Sequence, residues 1–257
     1  MLPTIGFLGS GSLTKFLTKG FCTSDNFQNP VFVSDIDLNQ ATTVASHFPK
    51  QISIAENNQK LLDSCKFVVL AVRPQHVEQA LEGLNFYAEH IVISAIALKT
   101  IEKLKKLVDP CLNIVRIMPL PPVQEHIGTI PYFPQNLEVR TLLEHLSLPL
   151  LMETEDNLNI ITAVTGLVAP FYTLLNQIKI WAAEHNVPPE TAQVFIVNMF
   201  HSLAATCRDS KTDLNEIIED AATPGGLNEQ GVKYLTENNA FEHFKDLLDI
   251  ILKRINT

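Results

Sequence analysis

Hydrophobic residues alternate between two spacings in the first half of the chain. Up to about Gly128, short apolar runs rich in Ile, Val and Phe are separated by stretches of helical length. The runs predict buried strands and the stretches between them predict helices. Because continuously apolar strands are covered on both faces, the alternation predicts an α/β fold with a doubly wound parallel sheet. The predicted strands are Thr4–Leu8, Val31–Ser34, Phe67–Val72, Ile91–Ile96 and Asn113–Ile117, and the predicted helices are Leu13–Phe21, Asn39–Phe48, Val77–Tyr87 and Ile101–Val108.

Beyond about Val139 the apolar spacing is helical only, which predicts an all-helical second half. Pro170 predicts a kink or interruption in the first of its helices. Five prolines between residues 119 and 134 predict an irregular junction. We therefore expect two domains, residues 1–153 and residues 154–257. The predicted helices of the second are Asn157–His185, Pro189–Ser210, Asp213–Ala221, Asn228–Glu237 and Phe241–Ile255.

A glycine-rich turn follows the first predicted strand and opens the first helix. Residues 5–13 read IGFLGSGSL, with Gly9 and Gly11 at the first two glycine positions of the dinucleotide fingerprint and Thr14 at the third. A tight turn that presents amide N–H groups at a positive helix end suits a pyrophosphate. The strand before the turn and the helix after it supply the required context. The sequence therefore predicts a Rossmann-type domain that binds NAD(H) or NADP(H).

Two further residues follow predicted strands, where ligands bind in an open α/β sheet. Asp35 ends the second strand, and an acidic side chain there accepts hydrogen bonds from ribose hydroxyls, which favours NAD(H) over a 2′-phosphate. Alternatively, Asp35 is an ordinary turn residue, with Asp37 as the helix cap. Arg73 follows the predicted strand Phe67–Val72 and either contacts the cofactor or is a solvated residue before a proline.

Composition and charge exclude several kinds of protein. Hydrophobic residues make up 46% of the chain and charged residues 18%, which is typical of a globular rather than a disordered protein. The formal charge is −9, and the one short basic segment is residues 103–106, so no nucleic acid partner is expected. The start of the chain lacks a signal peptide, and the apolar runs near residues 67–72 and 91–98 are too short to span a bilayer. We expect a cytoplasmic protein without a membrane partner.

The cysteines and histidines give no sign of a metal site. The four cysteines (Cys22, Cys65, Cys111 and Cys207) are far apart and contain no CxxC pair, so we expect reduced, buried thiols. The eight histidines are scattered, and we interpret them as surface or helix-cap residues.

The motifs together resemble those of pyrroline-5-carboxylate reductase, the family that completes proline synthesis, along nearly the whole chain. The family's IGFIGxGNMA resembles residues 5–14 and its AVKPQ resembles residues 71–75. Its SxxAG resembles residues 94–98 and its RxMPNTP resembles residues 116–122. Its SPGGTT resembles residues 223–228, with Gly231 following as the pattern requires. Asn58 falls where the family has an asparagine near the cofactor ribose.

The resemblance implies hydride transfer from NADH or NADPH to the C=N carbon of a small cyclic imine that carries a carboxylate, with pyrroline-5-carboxylate as the expected substrate. It also implies a helical domain that forms homodimers or larger homo-oligomers, and no metal. The implied cofactor-binding residues are Gly6, Gly9, Ser10, Gly11, Ser12, Leu13, Ser34, Asp35, Asn58, Ala71, Val72, Arg73, Pro74, Met118 and Pro119. The implied catalytic residues are Thr165 and Asn228, and the implied substrate-binding residues are Gly166, Thr223, Gly225, Gly226 and Leu227.

A turn with two glycines at the start of a helix exposes amide N–H groups at a positive dipole end, which suits the substrate carboxylate. A plain link between helices is the alternative for this turn.

The sequence departs from the family pattern mainly in the substrate half. The asparagine and threonine of MPNTP are Leu120 and Pro121 here, and the two threonines of GGTT are Leu227 and Asn228. Of the family's SGSGPAY, residues 165–171 clearly keep only the hydroxyl, at Thr165, and Gly166, and small residues have become Leu167 and Val168. The glycine of SxxAG is Leu98. Three readings stay open: a divergent reductase of the same substrate, a paralogue that reduces another imine or a keto compound in a more apolar pocket, and a non-catalytic NAD(P)-binding protein.

Overall fold

The computed structural model describes residues 3–210 and 212–256. These residues form two compact units. The first runs to Thr162 and takes up the chain again from Arg254, and the second is Ala163–Lys253. The functional boundary between residues 153 and 154 stays a prediction.

The first unit is built on one eight-stranded sheet. Its order is β3-β2-β1-β4-β5-β6-β7-β8; β1 to β6 are parallel to one another, β7 is antiparallel to β6, and β8 is parallel to β7. The expected doubly wound sheet is confirmed. The strands are β1 (Ile5–Leu8), β2 (Val31–Ser34), β3 (Ile52–Ile54), β4 (Phe67–Leu70), β5 (Ile91–Ser94), β6 (Ile114–Ile117), β7 (Thr129–Phe133) and β8 (Leu148–Leu151).

Helices cover the sheet, and its strands contribute to two hydrophobic cores. Ile5 and Phe7 of β1 belong to one buried cluster, whereas Leu8 belongs to the other. Because successive side chains of a strand point to opposite faces, both faces of the sheet are buried. The helices of this unit are α1 (Ser12–Thr23), α2 (Leu38–His47), α3 (Asn58–Ser64), α4 (Val77–Leu81), α5 (Ile101–Lys105), α6 (Leu137–Glu144) and α7 (Glu155–Val164), the last of which ends in the second unit.

Three strands were missed by the sequence pattern. β3 has only three residues. The expectation that no strand occurs beyond about Val139 is wrong, because β8 lies after that residue. β7 lies within the proline-rich stretch that was expected to be irregular. Pro131 has no N–H group to donate, but its carbonyl accepts a hydrogen bond from Met118 N at 2.9 Å. Pro149 is tolerated because β8 is an edge strand.

A buried arginine ties several elements of the first unit to β6. Arg116 is 3% exposed, and its Nη1 donates to Glu155 Oε1 at 2.7 Å and to Asn159 Oδ1 at 2.9 Å. The same Glu155 oxygen accepts from Ile101 N at the start of α5, at 2.8 Å. Asn159 Nδ2 in turn donates to Asn256 Oδ1 at 3.3 Å. The network therefore fastens α5, α7 and residue 256 to the sheet.

All the regular secondary structure described in the second unit is helical, as expected. A short 3₁₀ turn, Thr165–Leu167, separates α7 from the next helix, and Pro170 lies in the first turn of that helix. The predicted interruption is therefore present. The helices are α8 (Val168–Glu184), α9 (Pro189–Asp209), α10 (Leu214–Ala221), α11 (Leu227–Glu237) and α12 (Ala240–Ile255).

Many apolar side chains of the second unit are exposed. The helical stretch Glu155–Glu184 is long and apolar enough to cross a membrane by length and composition alone. Only 22% of its most apolar window is buried. From the sequence, only the shorter apolar runs near residues 67–72 and 91–98 were considered, and these lie elsewhere in the chain. Length and composition are a weak indication of a span, since core helices of water-soluble proteins meet the same test.

Candidate functional site

The predicted nucleotide turn lies where the strand order reverses, which is the ligand-binding position of an open α/β sheet. The chain leaves β1 toward β2 on one side, and β4 occupies the other side of β1. Gly9 follows β1 with a φ of +98°, and a Cβ there would lie 2.8 Å from the Ala71 carbonyl oxygen, in the turn after β4. The fold therefore brings the turns at Gly9–Gly11 and Ala71–Pro74 together.

Gly11 differs from Gly9 because nothing in the chain requires it to be glycine. It is the N-cap of α1, with φ −74° and no side-chain cap, and an added Cβ would meet no heavy atom within 4 Å. The space before this helix end is open, which suits a close approach of a ligand to the backbone. Ser12 and Leu13 begin α1 behind it, and Thr14 Oγ1 donates to Gly9 O at 2.6 Å, which holds the turn.

Asp35 is hydrogen-bonded to the nucleotide turn. Its Oδ2 accepts from Ser10 N at 2.6 Å and its Oδ1 accepts from Asp37 N at 2.9 Å. The cap of α2 is Asp37, which accepts from Asn39 N at 3.0 Å. The Ser10 hydroxyl is fully buried and has no hydrogen-bond partner among the described residues. A buried hydroxyl without a hydrogen-bond partner is energetically unfavourable. A ligand that supplied this partner would therefore bind more favourably.

Two other predicted cofactor residues contact each other. Ser34 Oγ donates to Asn58 Oδ1 at 2.7 Å, and Asn58 Nδ2 donates to Ala80 O at 3.2 Å. Gly6 has a different explanation: it lies within β1, and a side chain there would collide with Leu61 of α3. Close packing of α3 accounts for this glycine.

The remaining predicted cofactor residues follow β4 and β6. Arg73 is exposed and precedes a 3₁₀ turn, Pro74–His76, while Val72 is half-buried. Within the described residues no hydrogen bond or ion pair engages the Arg73 guanidinium. Met118 is half-buried and Pro119 is buried beyond the end of β6.

Leu98 holds a conformation that favours glycine. Its φ is +69°, and it replaces the glycine of the SxxAG pattern after β5. For a branched side chain the left-handed region costs roughly 1 kcal/mol or more. Leu98→Gly is therefore expected to raise the free energy of unfolding by about 0.5–1 kcal/mol in urea titrations. Leu98→Ala keeps the unfavourable φ and loses packing, so a stability gain from alanine as large as from glycine would contradict this explanation.

The predicted substrate turn lies at the start of α11. Gly225 has a φ of +76°, and a Cβ on Gly226 would lie 2.7 Å from Thr223 Oγ1, so the backbone requires both glycines. Gly226 N donates to Thr223 O at 2.9 Å, and Gly225 N donates to Glu229 Oε2 at 2.7 Å. Sequence reasoning did not identify Glu229.

The other predicted substrate-half residues occupy separate positions in the second unit. Asn228 Nδ2 donates to Ala221 O at 3.2 Å, and Leu227 is 87% exposed. Thr165 begins the 3₁₀ turn before α8 and is half-buried. Gly166 lies against α12, where a side chain would collide with Ile251.

One histidine and two thiols, Cys65 and Cys111, are buried, whereas Cys22 and Cys207 are half-buried rather than buried as expected. His90 is 2% exposed, so its interpretation as a surface or cap residue is wrong. Burial lowers the pKa of His90, and its Nδ1 accepts from Tyr87 N at 3.1 Å. Burial raises the pKa of the Cys65 thiol to about 12 and of the Cys22 thiol to about 11, and it also raises the pKa of Cys111. These thiols are therefore protonated and poorly nucleophilic. Among residues 3–210 and 212–256, no group of three or more His, Cys, Asp or Glu side chains is arranged to hold a metal.

Two family models match the chain. The model described as NADP oxidoreductase coenzyme F420-dependent matches residues 4–98, and the model described as pyrroline-5-carboxylate reductase dimerisation matches residues 155–257. Pyrroline-5-carboxylate reductase of Aquifex aeolicus is 25% identical over 242 residues, which cover 91% of this chain and 89% of that protein.

Two solved structures share the fold. The 1-pyrroline-5-carboxylate reductase of Streptococcus pyogenes is 20% identical with a TM-score of 0.88, covering 99% of this chain and 98% of that one. The pyrroline carboxylate reductase of Plasmodium falciparum, solved with NADP bound, is 17% identical with a TM-score of 0.85, covering 99% and 97%.

Proposed function

We propose that the chain is a member of the pyrroline-5-carboxylate reductase family and uses a reduced nicotinamide dinucleotide to reduce the C=N bond of a small cyclic imine, pyrroline-5-carboxylate to proline in the first instance. The observation that carries this proposal is the likeness of the chain to that family over 91% of its length. The nucleotide turn at the strand reversal supports it independently.

The residues present fit a dinucleotide. The amides of Gly11 and Ser12 at the start of α1 would hold the pyrophosphate, since Gly11 leaves the helix end open, and the Ser10 hydroxyl, which lacks a partner among the described residues, would add a further hydrogen bond. Ser34, Asp35 and Asn58 would hold the adenosine ribose, and the turns at 71–74 and 118–119 would border the nicotinamide. When bound, the cofactor supplies the hydride. The chain's own residues orient it and keep water away.

NAD(H) is the proposed cofactor rather than NADP(H). Asp35 and Asp37 place two carboxylates after β2, and the residue between them, Ile36, is 99% exposed. No lysine or arginine occurs in residues 34–37, so a 2′-phosphate would meet negative charge without a cation.

The helical half is proposed to bind the imine and to dimerise, with residues 154–257 as the functional domain and residues 1–153 as the cofactor domain. Thr165 and Asn228 would supply polar side chains to the substrate, and the turn Thr223–Leu227 with Gly166 would complete its binding site. An imine that binds already protonated needs little acid–base chemistry from the protein. No metal is proposed.

A steady-state assay with pyrroline-5-carboxylate tests the proposal, with NADH and NADPH oxidation followed in parallel. We expect saturable turnover, with kcat/KM for NADH roughly tenfold or more above that for NADPH, since one unfavourable charge contact of about 1.4 kcal/mol changes a rate tenfold. Turnover of another imine or a keto compound, without turnover of pyrroline-5-carboxylate, would favour a paralogue with a more apolar pocket. The apolar residues Leu120, Pro121 and Leu227 favour that alternative. Dinucleotide binding without any turnover would leave a non-catalytic binding protein.

We propose a homodimer formed by the helical unit, in a cytoplasmic protein without nucleic acid or membrane partners. The dimerisation model covers this region, and apolar side chains there are exposed. The stretch Glu155–Glu184 lies wholly within the matched region, so a second copy rather than lipid is its proposed partner.

Phe195→Asp is expected to convert the dimer to a monomer. Val194 and Phe195 are 64% and 67% exposed on α9, beside an open concavity of about 770 Å³. A carboxylate placed in an apolar interface loses hydration without gaining a partner. Sedimentation velocity measures the mass. Leu112→Asp is the control, because Leu112 is 71% exposed in the first unit. A Phe195→Asp protein that stays dimeric would remove α9 from the interface.

A further inference from the structure

The turn proposed to receive the substrate carboxylate already holds a carboxylate of this chain. Glu229, in the first turn of α11, places Oε2 2.7 Å from Gly225 N. A hydrogen bond from an amide N–H to a carboxylate is among the stronger hydrogen bonds of proteins. A carboxylate on the substrate would therefore compete with Glu229 for this donor and would be repelled by its charge.

Two other donors of the turn are also engaged. Gly226 N donates to Thr223 O, and the Asn228 amide donates to Ala221 O. The Leu227 side chain is apolar and 87% exposed, so it offers no hydrogen bond, and the donors that remain for a ligand are backbone N–H groups of the first turn of α11.

Among the described residues, the nearby lysine does not form an ion pair that would neutralise Glu229. Lys233 lies four residues after Glu229 on α11, a spacing that would allow an ion pair between them. Its Nζ instead lies 4.0 Å from Glu237 Oε1. Asp220 on α10 adds another negative charge before the turn. The local balance of charge is therefore negative.

We infer that Glu229 is a specificity-determining residue that disfavours imines carrying a carboxylate and favours neutral cyclic imines in relative terms. This inference rests on the proposed imine reduction and concerns the substrate class of the same site. Glu229 acts by occupying the Gly225 amide and by its charge.

The test compares kcat/KM for pyrroline-5-carboxylate with kcat/KM for 1-pyrroline, which lacks the carboxylate. Glu229→Gln keeps an acceptor for Gly225 N and removes the charge, and Glu229→Ala removes both. Glu216→Ala is the matched control, since Glu216 is the acidic residue of the first turn of α10. We expect the ratio of the two kcat/KM values to rise about tenfold in Glu229→Ala and severalfold in Glu229→Gln, through KM, and to stay constant in Glu216→Ala.

Failure of the proposed function and failure of this inference give different results. If the wild-type protein reduces neither imine, the proposed function fails, and calorimetry with L-proline and pyrrolidine then tests Glu229 directly. The inference requires tighter binding of proline, about tenfold, in Glu229→Ala, with pyrrolidine unchanged. A ratio that stays within twofold, an equal gain for both compounds, or no binding of either by any variant would overturn it.

Discussion

Replacing Gly11 with valine is expected to abolish dinucleotide binding and to change the free energy of unfolding by no more than about 1 kcal/mol, the usual range for an N-cap substitution. An added side chain at this position would meet no atom of the chain, and the φ of −74° is accessible to every residue. The same side chain would stand between α1 and a pyrophosphate. Calorimetric titration with NADH measures binding, and urea unfolding measures stability.

Gly9→Ala provides the contrast within the same turn. Its φ of +98° and the 2.8 Å approach to Ala71 O make a side chain unfavourable whether or not a cofactor is bound. We expect a loss of about 2–3 kcal/mol in stability. If Gly11→Val bound NADH with the affinity of the wild-type protein, the pyrophosphate would have to lie elsewhere. If both variants were equally destabilised, the distinction between the two glycines would be wrong.

Arg116→Ala is expected to lower the free energy of unfolding by about 3 kcal/mol, in the range for removing one partner of a buried ion pair. The substitution leaves Glu155 without its cation and Asn159 without its donor. Urea unfolding without cofactor measures the effect. Arg140→Ala is the control, because the Arg140–Glu144 pair is exposed and contributes about 0.5 kcal/mol or less.

A double substitution tests the cause of that loss. Arg116→Met with Glu155→Met replaces the pair by apolar side chains and is expected to recover at least half of the stability lost by Arg116→Ala. A loss below about 1 kcal/mol in Arg116→Ala would instead mean that water reaches the pair and screens it.

The sequence predicted those elements that are long or continuously apolar. The strands that became β1, β2, β4, β5 and β6 are buried on both faces, so their composition is distinctive. β7 and β8 each contain a proline, and β3 has three residues of which one is buried, so none of them carries an alternating or continuously apolar pattern. Their pairing depends on tertiary contacts that no local pattern records.

The candidate site likewise contains residues that the sequence could predict and residues that it could not. The nucleotide turn was predictable because its chemistry lies in consecutive residues. The Ser10–Asp35 bond joins residues 25 positions apart, and the Arg116–Glu155 pair joins residues 39 positions apart, so neither has a local signature. Glu229 lies only four residues from Gly225, but a glutamate in the first turn of a helix is too ordinary to stand out before its oxygen is located.

The return of the chain to the sheet gives the helical unit the topology of an insertion rather than of a tail. Both ends of Ala163–Lys253 continue into the first unit, and Asn256 is bonded to Asn159 beside the Arg116 network. A protein ended by a stop codon after Lys253 would therefore lose a fastening of the cofactor-binding unit although every residue up to Thr162 were retained. For the same reason, joining Thr162 to Arg254 through a short designed linker is a sounder way to isolate that unit than truncation.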